Sequence, residues 1–151
     1  MRVFVTGASS GIGAALAAHY AERGAQLGLV ARRADALAAV ARALPGAAAV
    51  YAADVGDAAA MAAAARDFMA RFGTPDIVIA NAGISVGTLT EHAEDIDVFD
   101  RVLRTNVVGL AATFHPFIDP LRAAGRGRLV GIASVAGLRG LPGAGAYSAS
   151  K

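Results

Sequence analysis

The chain has 151 residues, 56% of them hydrophobic and 17% charged, with a formal net charge of +2. That length favours one domain able to bury about two-thirds of its unfolded surface. The apolar share is inflated by alanine, which favours helix and buries little area. The charge is near balance and Arg32-Arg33 is the only adjacent basic pair, which excludes a nucleic-acid stripe or a polybasic membrane anchor. The lack of cysteine excludes disulfides, thiolate metal ligands and a cysteine nucleophile.

In chain order, Arg2–Thr6 is a short β-branched and aromatic run that enters a strand at once. No signal-peptide core precedes it and no apolar run reaches membrane-spanning length, so a cytoplasmic protein is expected. Gly11–Arg23 reads as a helix closed by Gly24, and Gln26–Ala31 as the next strand. Asp35–Leu44 is helical, with Asp35 expected to cap it, and stops at Pro45-Gly46. Ala48–Ala53 is a third strand, Asp57–Phe72 a helix ended by Gly73, and Ile77–Ala80 a fully apolar fourth strand. Asp95–Ala124 is mostly helical, with Pro116 and Pro120 expected to bend or interrupt it. Gly125–Arg128 is a turn and Leu129–Ala133 a fifth strand. Strands apolar on both faces and joined by helices predict a doubly wound parallel sheet, an α/β fold of Rossmann type. His19, His92 and His115 share no metal-ligand spacing, and no metal site is expected.

Three stretches carry chemistry. Thr6-Gly7-Ala8-Ser9-Ser10-Gly11-Ile12-Gly13 lies at a strand-to-helix turn. There Gly7 and Gly11 allow a tight turn and close approach to a pyrophosphate, Gly13 lets the helix pack on the sheet, and the helix N-terminus offers N–H groups to phosphate. An ordinary glycine-rich turn capped by Ser9 or Ser10 is the alternative. Arg32 and Arg33 follow the second strand, where an acid would accept from a ribose 2′-hydroxyl and an arginine would meet a 2′-phosphate. Two solvated arginines are the alternative there. Ser134 ends the fifth strand, and Tyr147 and Lys151 stand four apart, on one face of a helix. Tyrosine ordinarily keeps its proton to about pH 10, and a neighbouring ammonium favours the phenolate. That suits a general acid/base, and Ser134 could orient a substrate oxygen.

The spacing T-G-x-x-x-G-x-G, the segment Asn81-Ala82-Gly83, Asn106 and Y-x-x-x-K fall in one order that resembles the non-extended short-chain dehydrogenase/reductase family, over essentially the whole chain. The resemblance implies hydride transfer between a nicotinamide cofactor and a carbonyl or alcohol substrate. It implies Asn106, Ser134, Tyr147 and Lys151 as the catalytic set, with Asn106 holding a helix distortion and a proton-relay water. Cofactor contacts fall on Gly7, Ser9, Ser10, Gly11, Ile12, Gly13, Arg32, Arg33, Asp54, Val55, Asn81, Ala82, Gly83, Tyr147 and Lys151. Asp54-Val55 would touch the adenine, although Asp54 could be a plain turn residue and Asn106 a solvent-facing one. NADP(H) is expected over NAD(H), with Arg32 the main phosphate partner. The expected partner is a small carbonyl or alcohol, with no nucleic acid and no membrane. Ser85, Val86, Leu138, Arg139 and Leu141 could line the entrance. Many full-length relatives form homo-oligomers, an assembly not carried over to residues 1–151, and relatives continue past Y-x-x-x-K into further strands and a substrate lid. Residues 1–151 are therefore expected to form a single dinucleotide-binding and catalytic domain lacking those parts. The alternative is an inactive or binding-only dinucleotide-binding fragment.

Overall fold

The computed structural model describes residues 1–89 and 91–151. Five parallel strands form one sheet: β1 (Arg2–Thr6), β2 (Gln26–Ala31), β3 (Ala48–Ala52), β4 (Ile77–Ala80) and β5 (Arg128–Gly131), in the order β3-β2-β1-β4-β5. The connecting helices are α1 (Gly11–Ala21), α2 (Ala34–Ala43), α3 (Ala58–Phe72), α4 (Asp95–Leu103) and α5 (Gly109–Ala124), with α6 (Gly145–Ser150) at the end. The expected doubly wound α/β sheet is present.

Side chains of β1 alternate between the two faces of the sheet, as a strand's period of two requires. Val3 and Val5 join Leu27, Leu29, Ile77 and Ile79 beneath Ala17 of α1 and Leu37 of α2. Phe4 joins Val30 and Val78 on the other face, against Met61 and Phe68 of α3 and Phe117 of α5. Phe4 lies 5.4 Å from Phe68 and 4.9 Å from Phe117, ring centre to ring centre. Strand β2 carries Gly28 there because a Cβ would stand 2.5 Å from Phe68 and 2.6 Å from Phe4.

Several boundaries differ from the sequence reading. Helix α1 ends at Ala21, two residues early, where the Gly24 turn (φ 72°) begins to close. Asp35 does not cap α2: Arg33 occupies the cap position, and Asp35 lies within the first turn, where its negative charge meets the positive end of the helix dipole favourably. Asp57 caps α3 through bonds from the Ala59 and Ala60 amides. Pro116 and Pro120 do not interrupt α5, which runs through both. Burial of Phe117 and Ala112 against α3 holds the helix together despite the two missing N–H donors. The interruption comes earlier, as a π-helical turn over Arg104–Val108 between α4 and α5. Strand β5 is Arg128–Gly131 rather than Leu129–Ala133; one further ladder bond, Ile132 N–H to the Ala80 carbonyl, follows before the chain turns away.

The chain winds outward from β1 through β2 to β3, then returns to the other side of β1 at β4. The strand order reverses between β1 and β4. Beyond their carboxyl ends such a sheet leaves a crevice, because the following loops diverge to opposite faces.

Candidate active site

The crevice is real: a cleft of about 510 Å³ runs from Arg32, Arg33 and Asp54 past Gly7, Ser9, Ser10 and Ile12 to Tyr147 and Lys151. Val55, Asn81, Ala82 and Gly83 also line it. Thus 13 of the catalytic and cofactor residues singled out from the sequence share one cavity, together with Ser85 of the expected entrance and with Ile84, Thr105 and Ile132 beside them. Gly11, Gly13, Asn106 and Ser134 are not among its lining residues, nor are Val86, Leu138, Arg139 and Leu141. Leu138 is 91% exposed.

The glycine turn is fixed by close backbone contacts. Gly7 takes φ 67°, and a Cβ there would stand 2.8 Å from Asn81 Nδ2 and 2.9 Å from Ala82 Cα. A Cβ on Gly13 would collide with the Gly7 carbonyl oxygen and lie 2.6 Å from Asn81 Nδ2. Gly11 differs: it needs a positive φ of 53°, but its missing side chain faces nothing within 4 Å. Ser10 is the extended cap residue of α1, yet its hydroxyl makes no capping bond. The first turn of α1 therefore keeps N–H groups for an outside acceptor.

Thr6 locks this turn to β4. Its buried Oγ1 accepts from the Asn81 and Ala82 amides, both at 3.1 Å. Asn81 Nδ2 in turn donates to the Thr6 carbonyl at 2.9 Å. Thr6 opens the motif in the sequence, but its anchoring role depends on Asn81 and Ala82, 75 and 76 residues away, and no local signal announces it.

At the far end, Arg32 Nη1 lies 4.0 Å from Asp54 Oδ2, both side chains mostly exposed. Asp54 Oδ1 accepts from the Gly56 amide at 2.8 Å, so this residue both shapes a turn and faces the cleft.

At the near end, Tyr147 and Lys151 occupy successive turns at α6, with Lys151 Nζ 5.9 Å from the Tyr147 ring centre. Lys151 Nζ donates to the Ile132 carbonyl at 2.8 Å. A Cβ on Gly83 would stand 3.4 Å from Lys151 Nζ and 3.2 Å from Asn106 Oδ1, so a bare backbone runs between them. Asn106 is not solvent-facing: it is 4% exposed, in the π-helical turn. Its Oδ1 accepts from the Ile84 amide at 2.8 Å, and its Nδ2 donates to the Ile84 carbonyl at 2.9 Å and to Ser150 Oγ at 2.8 Å. Ser150 was missed, because a helical serine beside a motif lysine carries no signal of a partner 44 residues away.

Ser134 does not close β5. It begins a single 3₁₀ turn, Val135–Gly137, and its Oγ accepts from the Ala136 amide at 3.2 Å. A serine after a strand makes that local turn more readily than it extends a ladder.

No group of three His, Asp or Glu side chains that could hold a metal occurs among the described residues. Among them, no helix is long and apolar enough to cross a membrane.

Residues 1–151 match the family model described as short chain dehydrogenase. An uncharacterised oxidoreductase of Myxococcus xanthus is 39% identical over 150 residues, which cover 97% of this chain and 59% of that protein. A 3-ketoacyl-ACP reductase from Sinorhizobium meliloti superposes with a TM-score of 0.92 at 35% identity, over 99% of this chain and 61% of that one. An alcohol dehydrogenase from the archaeon Thermococcus sibiricus, complexed with 5-hydroxy-NADP, gives 0.87 at 30% identity, over 99% and 64%. The chain spans about three-fifths of the length of these relatives.

Proposed function

We propose, from the premise that this chain belongs to the short-chain dehydrogenase family, that it forms the dinucleotide and proton-transfer half of an NADP(H)-preferring oxidoreductase acting on a small carbonyl or alcohol. The observation that carries the reading is the single cleft shared by the glycine turn, Arg32, Tyr147 and Lys151.

The residues present fit a dinucleotide. The open space at Gly11 and the uncapped first turn of α1 suit a pyrophosphate. Gly7, Ser9, Ser10 and Ile12 would flank it, and Gly13 would keep the helix close to the sheet. Asp54 and Val55 would hold the adenine end, with Arg32 and then Arg33 offering guanidinium forks to a 2′-phosphate. Asn81, Ala82 and Gly83 would line the middle. When bound, the nicotinamide supplies the hydride.

The proton is the protein's task. The Tyr147 hydroxyl would pass a proton to the substrate oxygen in reduction and take it back in oxidation. Lys151 spends one of its three ammonium protons on the Ile132 carbonyl, which fixes Nζ beside the tyrosine ring and leaves two donors for a ribose or a water. Asn106 would hold the loop at Ile84 against the π-helical turn, and Ser134 would orient the substrate oxygen.

The test is turnover of NADPH or NADH by the native protein with a panel of small linear and cyclic ketones, repeated on Tyr147→Phe. Ketone-dependent oxidation of NADPH that disappears in the variant supports the reading. Turnover that survives Tyr147→Phe refutes it. A second reading, a module that binds the dinucleotide without chemistry, is favoured by one observation: Ser134 stands outside the cleft with its hydroxyl engaged in its own turn. NADPH binding without turnover on any ketone would select it.

A further inference from the structure

Helix α6 carries Tyr147 and leads directly into Lys151, and side chains from two other parts of the fold hold it in place. Its first turn is held by Thr88, whose Oγ1 accepts from the Ala146 amide at 3.4 Å and whose amide donates to the Gly143 carbonyl at 2.9 Å. Its last turn is held through Ser150. The Ser150 hydroxyl accepts from Asn106 Nδ2 at 2.8 Å and donates to the Tyr147 carbonyl at 2.7 Å. Among the described residues this is the only side-chain hydrogen bond between the π-helical turn and α6.

The hydroxyl is placed where it acts on three things at once. Every polar hydrogen and the oxygen of the Asn106 amide are engaged, with Ile84 on one side and Ser150 on the other. The orientation of that amide is therefore fixed, since a flipped amide would set its NH2 against the Ile84 N–H and its oxygen against the Ile84 carbonyl. Ile84, Tyr147 and Lys151 all line the cleft, and Asn106 joins the first of these to the other two only by way of Ser150. A helical serine that bonds the carbonyl three residues back is common. One that also receives a buried amide from another element, beside the proposed acid/base, is a clamp.

We infer that Ser150 is a positioning residue: its hydroxyl ties the Asn106 amide to the Tyr147 carbonyl and thereby sets where the Tyr147 hydroxyl and the Lys151 ammonium stand in the cleft. This inference rests on the proposed oxidoreductase reading. Loss of the hydroxyl leaves one Asn106 N–H buried and unbonded, a state that the last turn of α6 relieves by shifting. Displacement of a reacting group by about 1 Å is enough to cost on the order of a hundredfold in rate.

The test compares Ser150→Thr with Ser150→Val in the native protein. The two replacements have nearly the same shape and differ by a hydroxyl, and threonine can bond the carbonyl three or four residues back as serine does. Three quantities are read: kcat with NADPH across a ketone panel, the Kd for NADPH, and hydrogen exchange of the Ile84 amide. The expected result is Ser150→Thr within about threefold of wild type. Ser150→Val should lose at least about tenfold in kcat, a larger factor than any weakening of NADPH binding, and its Ile84 amide should exchange faster. Should Ser150→Val fail to fold by circular dichroism, Ser150→Ala replaces it in the same comparison. Equal kcat and equal Ile84 exchange in the two variants overturn the inference. If Tyr147→Phe is inactive in that case, the oxidoreductase reading stands and the inference alone falls; if Tyr147→Phe turns over normally, the reading itself has failed.

Discussion

Lys151 reaches 19 residues back along the chain to place its ammonium 2.8 Å from the Ile132 carbonyl. That one bond joins the end of α6 to the chain just past β5 and holds the charge at the mouth of the cleft. Lys151→Met keeps the length of the side chain and removes both the charge and the bond. The expected outcome is a loss of at least about a hundredfold in kcat with ketone and NADPH, the range in which positioned acid/base groups contribute. Steady-state kinetics on the native protein and the variant measure it, and a loss under tenfold would remove Lys151 from the proposed catalytic set.

Arg32→Ala is expected to weaken NADPH about tenfold or more and leave NADH within about twofold, because a guanidinium bonded to phosphate is worth more than an ordinary hydrogen bond. Arg32 already lies 4.0 Å from Asp54, and both are exposed, so this pair contributes little to the fold. Melting temperature should not move. Fluorescence titration with both nucleotides decides the matter; parallel weakening of NADH would deny Arg32 a role in selecting the phosphate.

The three glycines of the turn should fail in different ways. Gly13→Ala places a Cβ against the Gly7 carbonyl oxygen and 2.6 Å from Asn81 Nδ2, both held in place. It should cost roughly 1–3 kcal/mol or more in stability, as overpacking does. Gly11→Ala meets no atom within 4 Å, and its penalty is the positive φ alone, about 1 kcal/mol. Its methyl would, however, stand where the pyrophosphate is proposed to lie. Urea unfolding should therefore rank Gly13→Ala as the less stable protein, while NADPH binding should be lost in both.

The doubly wound parallel sheet, the glycine turn and the Tyr147–Lys151 pair were legible because each rests on local chemistry: apolar runs, residues that tolerate positive φ, and helical spacing. What escaped depended on distant partners. Nothing near Ser150 in the sequence announces Asn106, and nothing near Pro116 announces that Phe117 is buried against Phe4 and Phe68 firmly enough to carry two prolines through a helix. Asn106 was noticeable as an amide within a helix, but its amide bonds run to Ile84, on the loop after β4. Ser134 was misread for the opposite reason. The expected strand end was lost to a purely local competitor, a hydroxyl bonded to the amide two residues on.

Acid should unfold the protein partly through Asp76. Burial works against ionisation of this carboxylate, but hydrogen bonds from the Arg2 side chain and amide, the Arg2 charge and a contribution from Arg126 outweigh it and hold its pKa below the ordinary value. A carboxyl with a depressed folded pKa contributes stability that is complete above its unfolded pKa, near 4, and is lost as pH falls through the folded one. Asp76→Asn should thus be less stable than the parent at pH 7, by about 1 kcal/mol, with the gap closing as pH falls through the lowered folded pKa. Denaturant melts at pH 7 and in acid test this; a gap independent of pH would show that the contact acts through shape and not charge.

Between Arg104 and Val108 the helix stores one residue more than regular α-winding needs. Deleting one residue there would let the backbone relax into an unbroken α-helix and turn everything downstream by about 100°. Phe117, whose ring centre lies 4.9 Å from that of Phe4, would swing off the sheet, and Gly109 would no longer meet Val55. The spelling of this segment can therefore drift in evolution while its residue count cannot. An insertion or deletion here would damage the hydrophobic core and the address of Asn106 in a single event, so length variation among relatives should fall outside residues 104 to 117.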